Sequence, residues 1–367
     1  MRKFAFLIQG FLCYLNIQAQ QVFLLAGTYD GNGSSGLFVY EYDLLTAETK
    51  LLHNYKTSNA SFFSVSPNEK NVYVVEESKS PEGFGGKLKA LAFHKQNGTL
   101  TLLNVQNTWG DHPCHVMNDP EGKMVFVSNY SGGNLSVFRT LTQGEISNAV
   151  VIPQLGSGPH PAQGSSHLHS SILSPDGNYL VTANLGTDKL TSYRIDRANS
   201  KLQLQEVMST VPGSGPRMMC FHPSHSILYV IEELSGTISS FNYKKGKLKK
   251  KQRISTMVAG DTSFAGSAHL AISPDGKFLY ASNRGSANNI AIFSIDKKGG
   301  LQLLAHQSTI GRGPRHFTLD PSGKFLLVAN QQSDVVVIFN RDPVTGMLKD
   351  SGKRISITRP VCLGFID

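Results

Sequence analysis

Apolar residues along this chain fall in short runs that alternate with polar ones at a period of two. That is the pattern of half-buried strands, and the 3.6-residue spacing of amphipathic helices is absent. One turn recurs between the runs. Ser66-Pro67-Asn68-Glu69-Lys70 precedes NVYVVEE, DPEGKMVFVSNY occupies 119–130, and SPDGNYLVTANLG occupies 174–186. HPSHSILYVIEELSG, SPDGKFLYASNRG and DPSGKFLLVANQQ follow at 222–236, 273–285 and 320–332. In such a turn Pro fixes φ and Gly accepts a positive φ. A short apolar strand leads into each turn, and an alternating strand such as Phe278-Leu279-Tyr280-Ala281 leaves it. A third strand (IAIFSID, 290–296) and a fourth (GGLQLLAHQST) complete the unit.

The turn prolines Pro67, Pro120, Pro175, Pro223, Pro274 and Pro321 stand about 50 residues apart. Four strands in that length make one blade of a β-propeller. The two ends supply a further blade. FLLAGTYDG at 23–31 matches FVSNYSGG at 126–133 as a second strand with no first strand before it. Arg359-Pro360-Val361-Cys362-Leu363-Gly364-Phe365 matches GPRHFTL at 313–319 as a first strand with nothing after it. The predicted fold is therefore all-β, a seven-bladed propeller over 20–367 as a single domain, closed by pairing of the C-terminal strand with the N-terminal blade. Closure removes the open edge on which sheets aggregate.

The same register locates a candidate site. The innermost strand of a blade lines the central channel, and a tight turn returns the chain along the second strand. The start of the first strand and the end of the second thus share one end of the hairpin. Six residues before each turn proline stand Ser61, Cys114, His169, Arg217, Ala268 and Arg315. One place later come Phe62, His115, Ser170, Met218, His269 and His316. Ten residues after the prolines stand Glu77, Tyr130, Leu185, Glu233, Arg284 and Gln331. Wet channel lining would account for any one ionisable residue here, but not for three arginines, four histidines and two glutamates at one end. Arg217, Arg284 and Arg315 would form an anion-binding funnel, with His169 and Glu233 as proton-transfer groups.

At these residues the sequence resembles the seven-bladed propeller lactonases. The family includes bacterial 6-phosphogluconolactonases, and fungal 3-carboxy-cis,cis-muconate lactonizing enzyme is a relative. The resemblance covers essentially all of 22–367. SSHLHSSILSPDG carries the family-type histidine at His169, GSGPRMMCFHP the arginine at Arg217, IEELSGTISSF the glutamate at Glu233, and SNRG a second arginine at Arg284. The resemblance implies that these four are the catalytic and substrate-binding residues. Met218 stands where the family often has His, and Glu232 where it often has Asn.

The expected activity is hydrolysis of a sugar lactone, with no metal or organic cofactor. His169 or Glu233 is the general base, and Arg217 and Arg284 hold the developing oxyanion and acidic groups. Arg315, His316, His269 and His115 extend the substrate pocket. Two other readings stand beside this one: an isomerase that closes a muconate into a lactone, and a binding propeller without chemistry. The expected partner is a small lactone or acidic sugar.

Composition alters this picture in two places. The net charge of +9 is largely local, with Lys244, Lys245, Lys247, Lys249, Lys250, Lys251 and Arg253 crowded together. The segment reads as a lysine-guarded strand edge, and a nucleic-acid site would want interleaved aromatics. Residues 1–19 read as a secretory leader: Arg2 and Lys3, an apolar run from Phe4 to Leu15 too short to span a bilayer, and small-residue cleavage chemistry at Ala19. An exported enzyme would meet unphosphorylated lactones. Cys114, Cys220 and Cys362, left after cleavage, are too scattered for a disulfide framework. Gly31 to Gly36 fits a dinucleotide-loop pattern, but 37–42 reads as strand where a helix is required. His160, His167 and His169 lack acidic partners at metal-binding spacing.

Overall fold

The computed structural model describes residues 22–31 and 35–367, and the expected leader at 1–19 lies outside them. The described strands form seven four-stranded antiparallel sheets. Blade 1 is stitched from both ends of the chain: Pro360–Ile366 innermost, then Val22–Thr28, Leu37–Tyr42 and Thr49–Tyr55. Phe23 pairs with Ile366 and Gly27 with Cys362. Blades 2 to 7 begin at the channel with Phe63–Val65, Pro113–Asn118, Leu168–Leu173, Pro216–Phe221, Ser267–Ile272 and Pro314–Leu319. The seven blades and their closure are those that the repeat arithmetic predicts.

The recurring turn is tight for the expected reason. In Ser273-Pro274-Asp275-Gly276, the Gly276 N–H donates to the Ser273 carbonyl at 2.8 Å while Gly276 takes φ of 70°. The core lies between the faces of adjacent blades. Tyr229, Leu279 and Phe293 pack together from blades 5 and 6, while Leu24, Tyr40, Leu327 and Ile338 join blades 1 and 7. Each fully buried aromatic or aliphatic side chain contributes about 1.5–3 kcal/mol. Tyr73, Tyr229 and Tyr280 bury their rings, and their hydroxyls donate to the carbonyls of Gly144, Gly299 and Gly346 in the next blade at 2.8–2.9 Å. These bonds satisfy a buried polar group and fix the stagger between blades.

The lysine-rich segment is the outer hairpin of blade 5, Thr237–Lys244 and Lys247–Ser255. Lys245 and Gly246 make its two-residue turn, both at positive φ. Lys247, Lys249, Lys250 and Lys251 are exposed on the outermost strand. Leu37–Tyr42 is a strand, as the rejection of a dinucleotide loop requires. No helix among the described residues is long and apolar enough to cross a membrane.

Candidate active site

Six of the seven innermost strands share an irregularity that the repeat pattern does not disclose. In blade 3 the pairing steps from Pro113↔Asn129 to His115↔Ser128 and skips Cys114. The same slip skips His169 in blade 4, Arg217 in blade 5, Arg315 in blade 7 and Val361 in blade 1, and both Ala268 and His269 in blade 6. Each is a β-bulge, in which two residues oppose one and the backbone re-aims a side chain. The chain enters blade 5 through Gly215 (φ 66°), where an added Cβ would lie 2.6 Å from Leu234. The bulges turn Cys114, His169, Arg217 and Arg315 onto the channel mouth. There they meet Tyr29, Glu77, Tyr130, Glu233 and Arg284 from the ends of second strands, around a cavity of about 240 Å³.

Blades 4 to 6 supply an ionic cluster. Glu233 Oε1 lies 2.8 Å from Arg284 Nη2, and its Oε2 lies 2.7 Å from Arg217 Nε. The Arg217 Nε–H is not aimed along that contact and has no aligned acceptor. Arg217 is otherwise anchored, with Nη1 donating to the Ala268 carbonyl, and Arg284 Nε donates to the Gly266 carbonyl at 2.8 Å. Burial pushes the Glu233 carboxyl upward, but Arg284, Arg217 and Arg315 outweigh it and hold the group below its ordinary range. Burial and repulsion from Arg284 bring Arg217 down to about 10, so it stays charged at neutral pH. His169 is driven the other way. Burial first, then Arg217, Arg315 and Arg284, hold its imidazolium far below the usual value, so the ring is neutral. Its Nδ1 is buried without a hydrogen-bond partner. Tyr130 meets the His169 ring edge-on at 5.7 Å and stacks on His167 at 4.4 Å.

Blades 7, 1 and 2 supply the opposite wall. The Tyr29 hydroxyl donates to Glu77 Oε2 at 2.8 Å, and the Arg315 guanidinium lies 5.2 Å from the centre of the Tyr29 ring. The sequence reading assigns no role to Tyr29, Glu77 or Tyr130. In the structure Tyr29 directly follows Val22–Thr28 as Tyr130 follows Met124–Asn129, and Glu77 shares the register of Glu233.

The structure thus brings His169, Arg217, Glu233, Arg284 and Arg315 to one cavity, but the three remaining histidines lie deeper. His269 and His316 line a lower cavity of about 10 Å³, room for one water at most. The His115 ring lies tilted against Phe62 at 4.5 Å, Phe62 meets His316 at 5.8 Å, and His269 lies 3.9 Å from His316. Together they form an aromatic floor under the pocket. The bulge explains the difference in depth: it turns two consecutive side chains toward the axis, and the second sits one layer down. Burial, with help from Arg217, brings His115 and His316 down to about 3. His160 caps the 3-10 turn Pro161–Gln163. Among the described residues no three His, Cys, Asp or Glu side chains are grouped as a metal-ligand set. Cys114, Cys220 and Cys362 are free thiols.

The closed seven-bladed propeller matches one family model over nearly all of the described residues. Residues 23–365 fit the family model described as lactonase, 7-bladed beta-propeller. The chain belongs to that family and is a lactone hydrolase, a carboxylic-ester hydrolase, by class. It is 39% identical over 328 residues to the 6-phosphogluconolactonase of Formosa agariphila, covering 87% of this chain and 92% of that protein. Identity to the 6-phosphogluconolactonase of Bacillus subtilis is 33% over 347 residues, covering 93% and 97%. The structure of the periplasmic gluconolactonase of Pseudomonas aeruginosa superposes with a TM-score of 0.89 at 32% identity, covering 95% of this chain and 99% of that one.

Proposed function

We propose that the mouth pocket opens a sugar lactone by acid/base chemistry carried by side chains alone, with His169 as the base. The observation that carries this reading is a buried, neutral imidazole with no hydrogen bond to the protein from either ring nitrogen among the described residues, beside two guanidiniums that share one carboxylate. A neutral imidazole accepts a proton, whereas Glu233 is already committed to Arg217 and Arg284 and is weakened as a base. Water gives its proton to His169 as its oxygen bonds to the lactone carbonyl carbon. The carbonyl oxygen gains charge beside Arg217 and Arg284. The bond from that carbon to the ring oxygen then breaks, and the leaving alkoxide takes the proton back from His169. Negative charge arriving with the reaction offsets the arginines, so the imidazolium becomes affordable only when it is needed. Glu233 holds the two guanidiniums in place.

The test is turnover of a lactone panel by wild type, His169→Ala and Glu233→Gln. Loss of the base should cost about 10²–10⁴ in rate. Normal rates in His169→Ala refute its role, and a wild type that opens no lactone points to a binding propeller or to the muconate-closing isomerase. The Arg-lined wall would also hold a muconate's carboxylates, so closure of such a substrate belongs in the same panel. In this reading residues 1–19 are an export leader, in keeping with the periplasmic name of the Pseudomonas relative.

A further inference from the structure

The pocket has two unlike walls. On one, Arg217 and Arg284 are tied to Glu233. On the other, Arg315 has no carboxylate within 4 Å and no hydrogen bond to the protein among the described residues, and it shares the wall with Glu77 and Tyr29. Glu77 Oε2 accepts the Tyr29 hydroxyl, and Oε1 has no protein partner. Two guanidiniums, Arg315 and Arg359, lie over the Tyr29 ring at 5.2 and 5.5 Å, and Arg359 Nη1 donates to the Asp30 carbonyl at 2.5 Å. Tyr29 is therefore held in orientation, with its hydroxyl on the carboxylate.

We propose that Tyr29, Glu77 and Arg315 form a seat for the hydroxyl-bearing tail of a neutral sugar lactone, and that this seat rejects a phosphate ester. The proposal rests on the lactone-opening reading given above. A carboxylate only accepts hydrogen bonds, so an unused carboxylate oxygen on a cavity wall selects a ligand that brings donors, and a polyol brings several. Arg315 donates to the oxygens of the same hydroxyls. A phosphate ester brings acceptors and about two negative charges. It wants converging donors with no carboxylate among them. This wall offers it one free guanidinium and sets Glu77 beside it, and no lysine among the described residues lines the cavity. The arrangement discriminates through its repulsive member as much as through its attractive one.

The experiment compares kcat/KM for D-glucono-1,5-lactone, its 6-phosphate and δ-valerolactone, which has no hydroxyls, in wild type, Glu77→Gln and Tyr29→Phe. Wild type should favour the unphosphorylated polyol over both others. In Glu77→Gln the ratio of polyol lactone to δ-valerolactone should fall about tenfold or more, the loss expected when a charged acceptor is removed from a hydroxyl-binding site. Discrimination against the 6-phosphate should narrow as well. Tyr29→Phe keeps the ring and loses the hydroxyl, and should lower the same ratio; it carries the comparison should Glu77→Gln fail to fold. Preference for the 6-phosphate in wild type overturns the proposal, as does an unchanged ratio in variants with normal melting temperatures. If wild type opens no lactone, the catalytic reading fails separately. Calorimetric titration with gluconate and 6-phosphogluconate then decides the seat: tighter gluconate, weakened in Glu77→Gln, supports it, and tighter 6-phosphogluconate or no binding of either overturns it.

Discussion

Mild acid should destabilise this protein through the floor of its pocket. His115 and His316 are 4% and 7% exposed, and burial holds both imidazoliums down to about 3. The unfolded chain restores each to about 6.5. A histidine depressed by folding binds more protons when unfolded, so stability is full above about pH 6.5 and falls as the pH drops toward 3. At pH 5.5 each of the two costs about 1 kcal/mol, and the pair about 2–3 kcal/mol. His169 and His269 are depressed in the same direction and add to the loss. Glu233 is lowered too, but a depressed carboxyl loses its contribution only below about pH 4.5 and stays out of this window. Against a total of about 5–15 kcal/mol, the histidine loss is large. Urea unfolding at pH 7.5, 6.5 and 5.5 should show it as a falling midpoint at constant slope. His316→Phe removes one titrating group, keeps a ring against Phe62 and His269, and should reduce the loss between pH 7.5 and 5.5 by about 1 kcal/mol. An unchanged pH dependence in that variant would refute the reasoning, whatever its stability at pH 7.5.

Other outcomes follow from the same geometry. Arg217→Lys should lower lactone kcat/KM by roughly tenfold or more, because an ammonium cannot hold the Ala268 carbonyl and Glu233 together as the guanidinium does; steady-state kinetics would show this, and wild-type rates would refute it. Deleting 359–367 removes the inner strand of blade 1, with buried Val361, Cys362, Leu363 and Ile366, and should give insoluble protein on fractionation. A soluble, cooperatively folding truncation would contradict the closure argument. Mass spectrometry of protein from its native cells should find a start near Gln20 or Gln21, and an intact Met1 would contradict export.

The fold was legible because its grammar is local. Each turn proline marks the bottom of an inner hairpin, and counting from it reaches the mouth at His169, Arg217 and Arg315. Depth was not legible. Strand alternation alone cannot tell that a bulge places Arg315 in the cavity and His316 beneath it, because the slip depends on a pairing partner elsewhere in the chain. Tyr29 escaped for another reason: its repeat is split between the termini and has no turn proline to count from. Glu232 shows a third limit. It replaces the asparagine found at Asn129, Asn184, Asn283 and Asn330, yet it is fully buried and satisfied by Thr237, Ser239 and Arg253. Its compensating arginine lies on a strand two places outward, where no motif would look.

The stitched blade has a consequence for how the protein comes into being. Tyr29 is among the first of the described residues to be synthesised, and Arg359 and Val361, which cover it and line the lower cavity, are among the last. Six blades can form while the ribosome is still at work, but the wall shared by blades 7, 1 and 2 cannot be finished until the final strand is free to dock. Until then Val22–Thr28 carries an unpaired edge. Assembly of the pocket thus waits for Pro360–Ile366 to dock, and a chain that stops short of that strand holds no finished site.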